Sequence, residues 1–196
     1  LDEIPLAVAD PRVMYCASTN GGLFDAFTTM QNPITGAHVI GILGAAQIDI
    51  YGNINTTVIG NYIRPKIRFP GSGGGCDVAS FVPRCILFMK QEKKQFVRKL
   101  DYLTSPGHVN GENTRTDTGL RSGGPPLVVT NMAVFRFHEV TKKMYLSGYY
   151  PGVTTETILE NMEFSVDVSR AVEISPPTEG ELNSLRERCD PQRLIL

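Results

Sequence analysis

The sequence predicts an α/β fold, an open three-layer sandwich with a mostly parallel sheet. Two runs, His38–Leu43 and Cys85–Met89, are almost continuously apolar, as expected for strands buried on both faces of a parallel sheet. Leu23–Met30, with apolar residues at helical spacing, precedes the first run, and short helical segments alternate with the later strands. Such alternation is typical of helices packed on a sheet. We expect residues 1–196 to form a single domain.

The first part of the chain is predicted to lead from a helix into the sheet. Pro5–Ala9 is a short apolar run that fits a buried strand or an approach segment. The helix that begins at Leu23 is ended by Asn32–Pro33. Gly44–Gln47 then forms a loop at the carboxyl end of the first strand, where open α/β sheets bind their ligands. Two further strands follow, Thr56–Gly60 and Lys66–Phe69.

The middle of the chain contains the least regular segment. Val78–Phe81 is predicted to be a short helix, and Leu100–Thr104 to resume the sheet after the second apolar strand. Ser105–Pro126 then loses all periodicity and scatters glycines among polar residues. Loops of this length are uncommon and typically form lids or partner contacts. A lid or interface and a disordered excursion are both open interpretations.

The last part of the chain returns to regular structure. Strands are predicted at Leu127–Thr130 and Ala133–Phe137, and Met144–Tyr149 alternates as a half-buried strand does. Thr154 is expected to cap one helix, and Thr178-x-x-Glu181 is a capping box that begins the last one.

Composition describes an ordinary globular protein and argues against several partners. The 196 residues are 41% hydrophobic and 20% charged, and the formal net charge of -1 gives no electrostatic reason to expect nucleic acid or an anionic membrane surface. No apolar run approaches the roughly 20 residues that span a bilayer. The four cysteines form no Cys-x-x-Cys pair, which favours reduced thiols in a cytoplasmic protein over a zinc site or a disulfide scaffold. We therefore predict no metal site and a cytoplasmic location.

Familiar catalytic motifs are missing. The three histidines, His38, His108 and His138, lie far apart in no recognisable motif, which favours structural roles, least strongly for His108. Ser72 lies between glycines but out of frame for a nucleophile elbow, and no phosphate-binding Lys-Ser/Thr follows the glycines. Cys76 is either a small buried filler or a thiolate activated at a helix start.

The glycine run Gly71–Gly75 is the strongest candidate site. Four of these five residues have no side chain, so a ligand can approach the backbone closely. If the amides of Gly73 and Gly74 converge where the next helix starts, they form a site for an oxyanion; a simple surface turn is the alternative. The residues predicted to line the same pocket and bind substrate are Gly71, Ser72 and Gly75 from the run, with Gln47, Asn53 and Asn55 before it, although Gly52–Asn53 also fits a turn.

Three segments then carry a resemblance to a known family: Gly44–Asp49, Tyr51–Asn55 and Pro70–Asp77. Together they closely resemble the β subunit of family I coenzyme A transferases, and among these the β subunit of the glutaconate CoA-transferase type. Supporting matches, which extend the resemblance over nearly the whole chain, are Phe96–Gly107, Pro151–Thr154 and Pro176–Pro191.

The resemblance implies a CoA-transferase-like fold and one subunit of an α/β heteromeric enzyme. Members move coenzyme A between a thioester and a free carboxylate, and a β-subunit glutamate attacks the thioester to form a glutamyl anhydride and then a glutamyl-CoA thioester. Amides of the glycine motif hold the developing oxyanion, a role that falls here on Gly73 and Gly74, with Gln47 lining the pocket. The implied partners are a CoA-transferase α subunit, an acyl-CoA and a carboxylic acid, with coenzyme A thioester as substrate and no permanently bound cofactor.

One departure from the family bears on the reaction class. The nucleophilic glutamate of the family lies shortly before the residues that match Leu1–Pro5, and the sequence, which begins without methionine, does not contain that segment. Glu3 does not occupy the motif position. We expect the natural protein either to carry the glutamate upstream or to work without it. Relatives without it are CoA-ester hydrolases or decarboxylases, so these reactions and a non-catalytic scaffold subunit are the alternatives to CoA transfer.

Overall fold

The computed structural model describes residues 15, 17–18, 21–121 and 123–193. The chain divides into two compact units, one made of Phe27–Ile174 and the other of Leu1–Ala26 with Ser175–Leu196. The helices are α1 (Leu23–Gln31), α2 (Gly75–Phe81), α3 (Thr114–Asp117), α4 (Thr155–Glu160) and α5 (Glu179–Asn183), with a 3-10 turn at Gly36–His38 and a π-helical turn at Ser184–Cys189. The strands are β1 (Ile40–Gly44), β2 (Gln47–Ile48), β3 (Ile54–Asn55), β4 (Val58–Gly60), β5 (Pro65–Arg68), β6 (Arg84–Phe88), β7 (Leu127–Val129), β8 (Ala133–Phe137), β9 (Met144–Tyr149) and β10 (Val172–Glu173).

Six of these strands form the central sheet of the larger unit, in the order β1-β6-β7-β8-β9-β10. The β1–β6, β6–β7 and β9–β10 pairs are parallel, and the β7–β8 and β8–β9 pairs are antiparallel. This mixed, mainly parallel sheet confirms the predicted α/β class. Two small antiparallel pairs, β2–β3 and β4–β5, lie outside it.

The core of the larger unit packs on one face of the sheet. Its centre is made of fully buried side chains from strands, from the segment after β6 and from α4: Ile48, Phe96, Phe135, Leu146 and Ile158. Phe96 packs against the rings of Phe135 and Phe164, with ring centroids 5.7 and 6.4 Å apart. Because Phe96 belongs to a segment between β6 and β7, this contact holds that irregular segment on the sheet.

The prediction that the first strand is buried on both faces was wrong. Gly41 of β1 is buried, whereas Ile40 and Ile42 on the other side are 51% and 67% exposed. Phe88 at the end of the neighbouring β6 is 52% exposed. The continuous apolar sequence therefore reflects one face packed on the core and one apolar face that is open in the described part of the chain.

Most of the other predicted elements are confirmed within a few residues. Thr154 caps α4 by accepting a hydrogen bond from the Thr157 amide, and Thr178 and Glu181 form the predicted capping box at α5. Elements also occur at the predicted positions of α1, α2 and the strands β4 to β9. The Pro5–Ala9 prediction lies outside the described residues, and the single domain over residues 1–196 stays a prediction.

Two predictions for the middle of the chain failed. Leu100–Thr104 forms no strand, and a single bridge between Ile54 and Ser105 is the sheet-like pairing there. Ser105–Pro126 is not structureless in its described part, since it contains α3 and buries His108 and Arg115. Long-range hydrogen bonds, rather than local periodicity, fold this segment.

Within the described ranges, none of the helices has the length and apolar character needed to cross a membrane.

Candidate active site

The glycine run forms a sharp loop that enters α2. Gly71 and Gly73 have φ angles of +95° and +47°, in the left-handed region that favours glycine, and Gly74 is the N-cap of α2 with φ -82° and ψ 0°. The Gly75 amide donates to the Ser72 carbonyl at 2.7 Å, which closes the turn. The run is therefore both a turn and the approach to a helix, as the sequence predicted.

The outer side of this loop is open. A Cβ built on Gly71, Gly73 or Gly74 would meet no heavy atom within 4 Å. The amides of Gly73 and Gly74 donate to no residue in the part of the chain that the structure describes. These two donors are thus available to a ligand, while the Ser72 hydroxyl is used locally, donating to the Gly73 carbonyl at 3.1 Å.

Thr56 fixes the start of the loop. The Gly71 amide donates to the Thr56 carbonyl at 3.1 Å, and the Thr56 hydroxyl donates back to the Gly71 carbonyl at 2.9 Å. The Thr56 amide in turn donates to the hydroxyl of Thr104. The side of the loop that faces the protein is therefore held, and the side with the unpaired amides is not.

A cleft of about 640 Å³ adjoins the glycine loop. Most of its wall is apolar, and its polar side chains are Thr56, Lys94 and Gln95. The lining residues are Ala45, Ala46, Thr56, Ile59, Ile67, Phe69, Pro70, Gly71, Lys94 and Gln95. The cleft thus brings together the loop after β1, the β4–β5 hairpin and the beginning of the glycine run, as expected for a ligand at the carboxyl end of a parallel strand.

Gln47 and Asn55 are buried beside this cleft but use their side chains within the chain. The Asn55 side-chain amide donates to Gln47 Oε1 and to the Val58 carbonyl, both at 2.7 Å. Gln47 Nε2 donates to Asp101 Oδ2 at 3.0 Å, and Gln47 Oε1 also accepts from the Asp101 amide. The Gln47–Asn55 pair lies across the β2–β3 register. It fixes the floor from which the β4–β5 hairpin starts.

Asn53 lies in a second internal network. Its Nδ2 donates to Asp49 Oδ2 at 2.8 Å and to the Val109 carbonyl at 2.7 Å, and its Oδ1 accepts from the amides of Gly107 and Val109. Desolvation raises the pKa of Asp49 even though three hydrogen bonds from Tyr51 and Asn53 favour its charged form.

The structure places all three predicted amide side chains, those of Gln47, Asn53 and Asn55, as supports of the site. Each is used in hydrogen bonds to other parts of the same chain. A direct contact of these residues with substrate stays a prediction.

Arg115 is the structural residue that sequence reasoning missed. Its side chain is 4% exposed, and its guanidinium donates to the carbonyls of Ala79, Ser80, Pro106, Gly107 and Arg121. Ala79 and Ser80 belong to the last turn of α2, where carbonyls carry the negative end of the helix dipole. Desolvation lowers the pKa of Arg115 from its ordinary value, which lies far above neutral pH. The buried cation therefore clamps the helix that follows the glycine loop to the Ser105–Pro126 segment.

His108 is packed rather than free to act as a base. Its Nε2 lies 3.1 Å from the Pro125 carbonyl, and because that oxygen can only accept, Nε2 carries the proton. The ring meets Phe137 edge-on with centroids 4.8 Å apart. Burial lowers the pKa of His108 to about 4, with the charges of Lys142 and Arg115 acting in the same direction.

The cysteines give no sign of a metal centre. Cys76, Cys85 and Cys189 carry free thiols, and burial raises the pKa of Cys85 to about 11. Among the described residues no cluster of His, Cys, Asp or Glu could hold a metal ion.

Comparison with known proteins agrees with the resemblance seen in the motifs. A sequence model of the family described as Coenzyme A transferase matches residues 4–161. The β subunit of glutaconate CoA-transferase from Acidaminococcus fermentans is 42% identical over 99% of this chain and 74% of its own length. The β subunit of 3-oxoadipate CoA-transferase from Pseudomonas knackmussii is 35% identical over 93% of this chain and 70% of its own length. The crystal structure of glutaconate coenzyme A-transferase from Acidaminococcus fermentans superposes with a TM-score of 0.92 at 40% identity, over 99% of this chain and 76% of that one.

Proposed function

Since the chain belongs to the coenzyme A transferase family, we propose that it is the β subunit of a heteromeric enzyme that moves coenzyme A between an acyl-CoA thioester and a free carboxylate. The observation that supports this role most directly is the pair of unpaired amides at Gly73 and Gly74, exposed beside an apolar cleft in the part of the chain that the structure describes.

The two amides fit the demands of acyl transfer. Attack on a thioester carbonyl places negative charge on its oxygen, and donors fixed by the backbone stabilise that charge without reorganising. One such donor contributes about 3 kcal/mol to the transition state. The Gly71–Thr56 hydrogen bonds hold the loop, so the donors stay in position while the bond to sulfur breaks.

The cleft fits the organic part of a thioester substrate. Its mainly apolar wall suits the carbon chain of an acyl group, and Lys94 is the cationic side chain of its lining. Lys94 pairs with Glu92 at 2.7 Å, yet its side chain is 80% exposed, so it can exchange that partner for another carboxylate at little cost. Two relatives are named for glutaconate and 3-oxoadipate, which are both dicarboxylates. We infer a dicarboxylic acyl-CoA as substrate here.

The partner is a CoA-transferase α subunit. Both relatives named above are single subunits of such enzymes, and a subunit of a heteromer needs a second kind of chain. Coenzyme A thioester enters as a substrate, and no resident cofactor is part of the proposal. A cytoplasmic location stays a prediction, which cell fractionation with an antibody to this chain would test.

The nucleophile that transfer requires is a carboxylate not assigned to any residue of this chain, so the reaction class has to be tested directly. In the heteromer with the full-length subunit, we expect loss of acyl-CoA to depend on an acceptor acid. We also expect borohydride or hydroxylamine, added with acyl-CoA, to inactivate the enzyme through a glutamyl thioester. Thioester loss to water without an acceptor would favour the hydrolase alternative, and carbon dioxide release would favour the decarboxylase. If the α subunit alone were fully active, the scaffold alternative would hold.

A further inference from the structure

The β4–β5 hairpin and the segment beside it expose an unusual group of large apolar side chains. Tyr62, Ile63 and Ile67 of the hairpin are 54%, 85% and 52% exposed, and Tyr102 and Leu103 are 38% and 52% exposed. We call these five residues the hairpin surface. Large exposed apolar groups that lie together, rather than singly, mark interaction sites on soluble proteins.

The hairpin surface is held in a fixed shape. The rings of Tyr62 and Tyr102 stack with centroids 5.3 Å apart, and the Arg68 guanidinium lies 4.7 Å from the Tyr62 ring centroid. Asp101, next to Tyr102, accepts from the Gly60 amide of the hairpin at 3.0 Å. A surface that is ordered before binding loses less entropy when a partner docks, and tyrosine and arginine are the residues that most often dominate binding energy at interfaces.

The charges around the hairpin surface indicate what kind of partner it fits. Arg64, Lys66 and Arg68 are the charged residues between Thr56 and Gly71, and all three are basic and exposed. A second copy of this chain seated symmetrically on the hairpin would bring these like charges together, because each residue then meets the same patch. A different chain with acidic groups around an apolar centre is the complementary partner.

The hairpin surface is continuous with the candidate active site. Ile67 belongs to both, since it is half exposed on the hairpin and also lines the cleft beside Gly71. Gln47 joins them from below, because its partner Asp101 also holds the hairpin. A chain that docks on the hairpin therefore covers the cleft as well.

We propose that the hairpin surface is the contact through which the α subunit docks on this chain and closes the substrate cleft. This inference rests on the proposed function for the identity of the partner. The α-subunit surface that meets it carries apolar side chains for Tyr62, Ile63 and Leu103, with carboxylates around them for the basic residues of the hairpin.

A charge placed on the hairpin surface tests the proposal. Ile63→Asp, in the full-length heteromer, is expected to weaken association of the two subunits at least ten-fold, measured by analytical ultracentrifugation over a dilution series. The matched control is Val140→Asp, because Val140 is 68% exposed but lies outside the hairpin surface; its association constant is expected to match that of the wild type. Equal weakening by both variants, or by neither, would overturn the proposal.

A crosslinking measurement identifies the occupant even if Ile63→Asp folds poorly. A photoreactive benzoylphenylalanine introduced at Ile63 is expected to crosslink to the α subunit in the assembled enzyme. Crosslinks only to a second β subunit, or only within the same chain, would overturn the proposal. Assembly and activity are read separately: an inactive wild-type heteromer that Ile63→Asp still splits would refute the proposed function and leave the docking surface in place.

Discussion

Replacement of Gly74 by valine separates a catalytic loop from a simple turn. Gly74 has φ -82° and ψ 0°, which any residue can adopt, and a Cβ there meets no heavy atom within 4 Å. Valine is less favourable than glycine at an N-cap, by roughly 1 kcal/mol. It also restricts the unfolded chain, which offsets part of that loss. We therefore expect Gly74→Val to lower the free energy of unfolding by about 1 kcal/mol or less.

The effect on turnover is expected to be far larger. The branched side chain would fill the space beside the Gly73 and Gly74 amides, where a thioester oxygen has to enter. Loss of one oxyanion donor costs about 3 kcal/mol, or a hundred-fold or more in kcat. The assay is steady-state transfer by the reconstituted heteromer, together with urea unfolding of the same preparation.

Gly180→Val is the matched control for this experiment. Gly180 also lies at a helix start with no heavy atom within 4 Å of its Cβ and without a positive φ, but it belongs to α5 and not to the site. Its valine variant is expected to keep wild-type kcat. The reasoning is refuted if Gly74→Val retains kcat within about three-fold of the control, because the glycines would then serve only to turn the chain.

Three further predictions concern stability. Arg115→Met leaves several buried carbonyls without their donor and should lower the free energy of unfolding by about 3 kcal/mol or more, with Arg115→Lys intermediate; a loss below 1 kcal/mol in urea unfolding would contradict the clamp. His108 has its pKa lowered to about 4 in the folded chain against about 6.5 unfolded, so its contribution is complete above pH 6.5 and is lost as the pH falls toward 4, by about 3 kcal/mol. His108→Gln should flatten that part of the stability–pH curve, and an unchanged slope would exclude His108 as its source. Gly41→Ala would place a Cβ 2.4 Å from Val78 Cγ1 and 3.3 Å from Cys85 Sγ and should cost about 1–3 kcal/mol by overpacking; unfolding within 0.5 kcal/mol of wild type would show that α2 can shift.

The parts of the fold that could be predicted are those with local causes. The N-cap at Thr154 and the capping box at Thr178 each depend on residues three positions apart, and both occur where the sequence places them. The glycine loop before α2 is likewise local, since Gly71 and Gly73 adopt left-handed angles that few other residues tolerate.

The parts that failed depend on contacts distant in sequence. Ser105–Pro126 has no periodicity because Arg115 organises it, through bonds to carbonyls of α2 that lie 35 and 36 residues away. Leu100–Thr104 is apolar like a strand, but Tyr102 and Leu103 face outward as part of the hairpin surface. No single-sequence pattern distinguishes an apolar residue that is buried from one that awaits another chain.

The candidate site shows the same division. Its open amides could be foreseen from glycines alone, whereas the pairing of Gln47 with Asn55 depends on the β2–β3 register. Sequence reasoning therefore found the right neighbourhood and assigned to substrate three side chains, those of Gln47, Asn53 and Asn55, that the fold itself uses.

The nature of Arg115's counter-charges has a consequence for how the protein responds to its medium. All five of its acceptors are peptide oxygens, which neither gain a proton in acid nor attract a competing salt ion as a carboxylate would. The joint that carries the glycine loop is thus blind to ionic strength and, across the range where proteins work, to acidity. Acid sensitivity in this part of the molecule then falls to the nearby His108, whose ring does titrate.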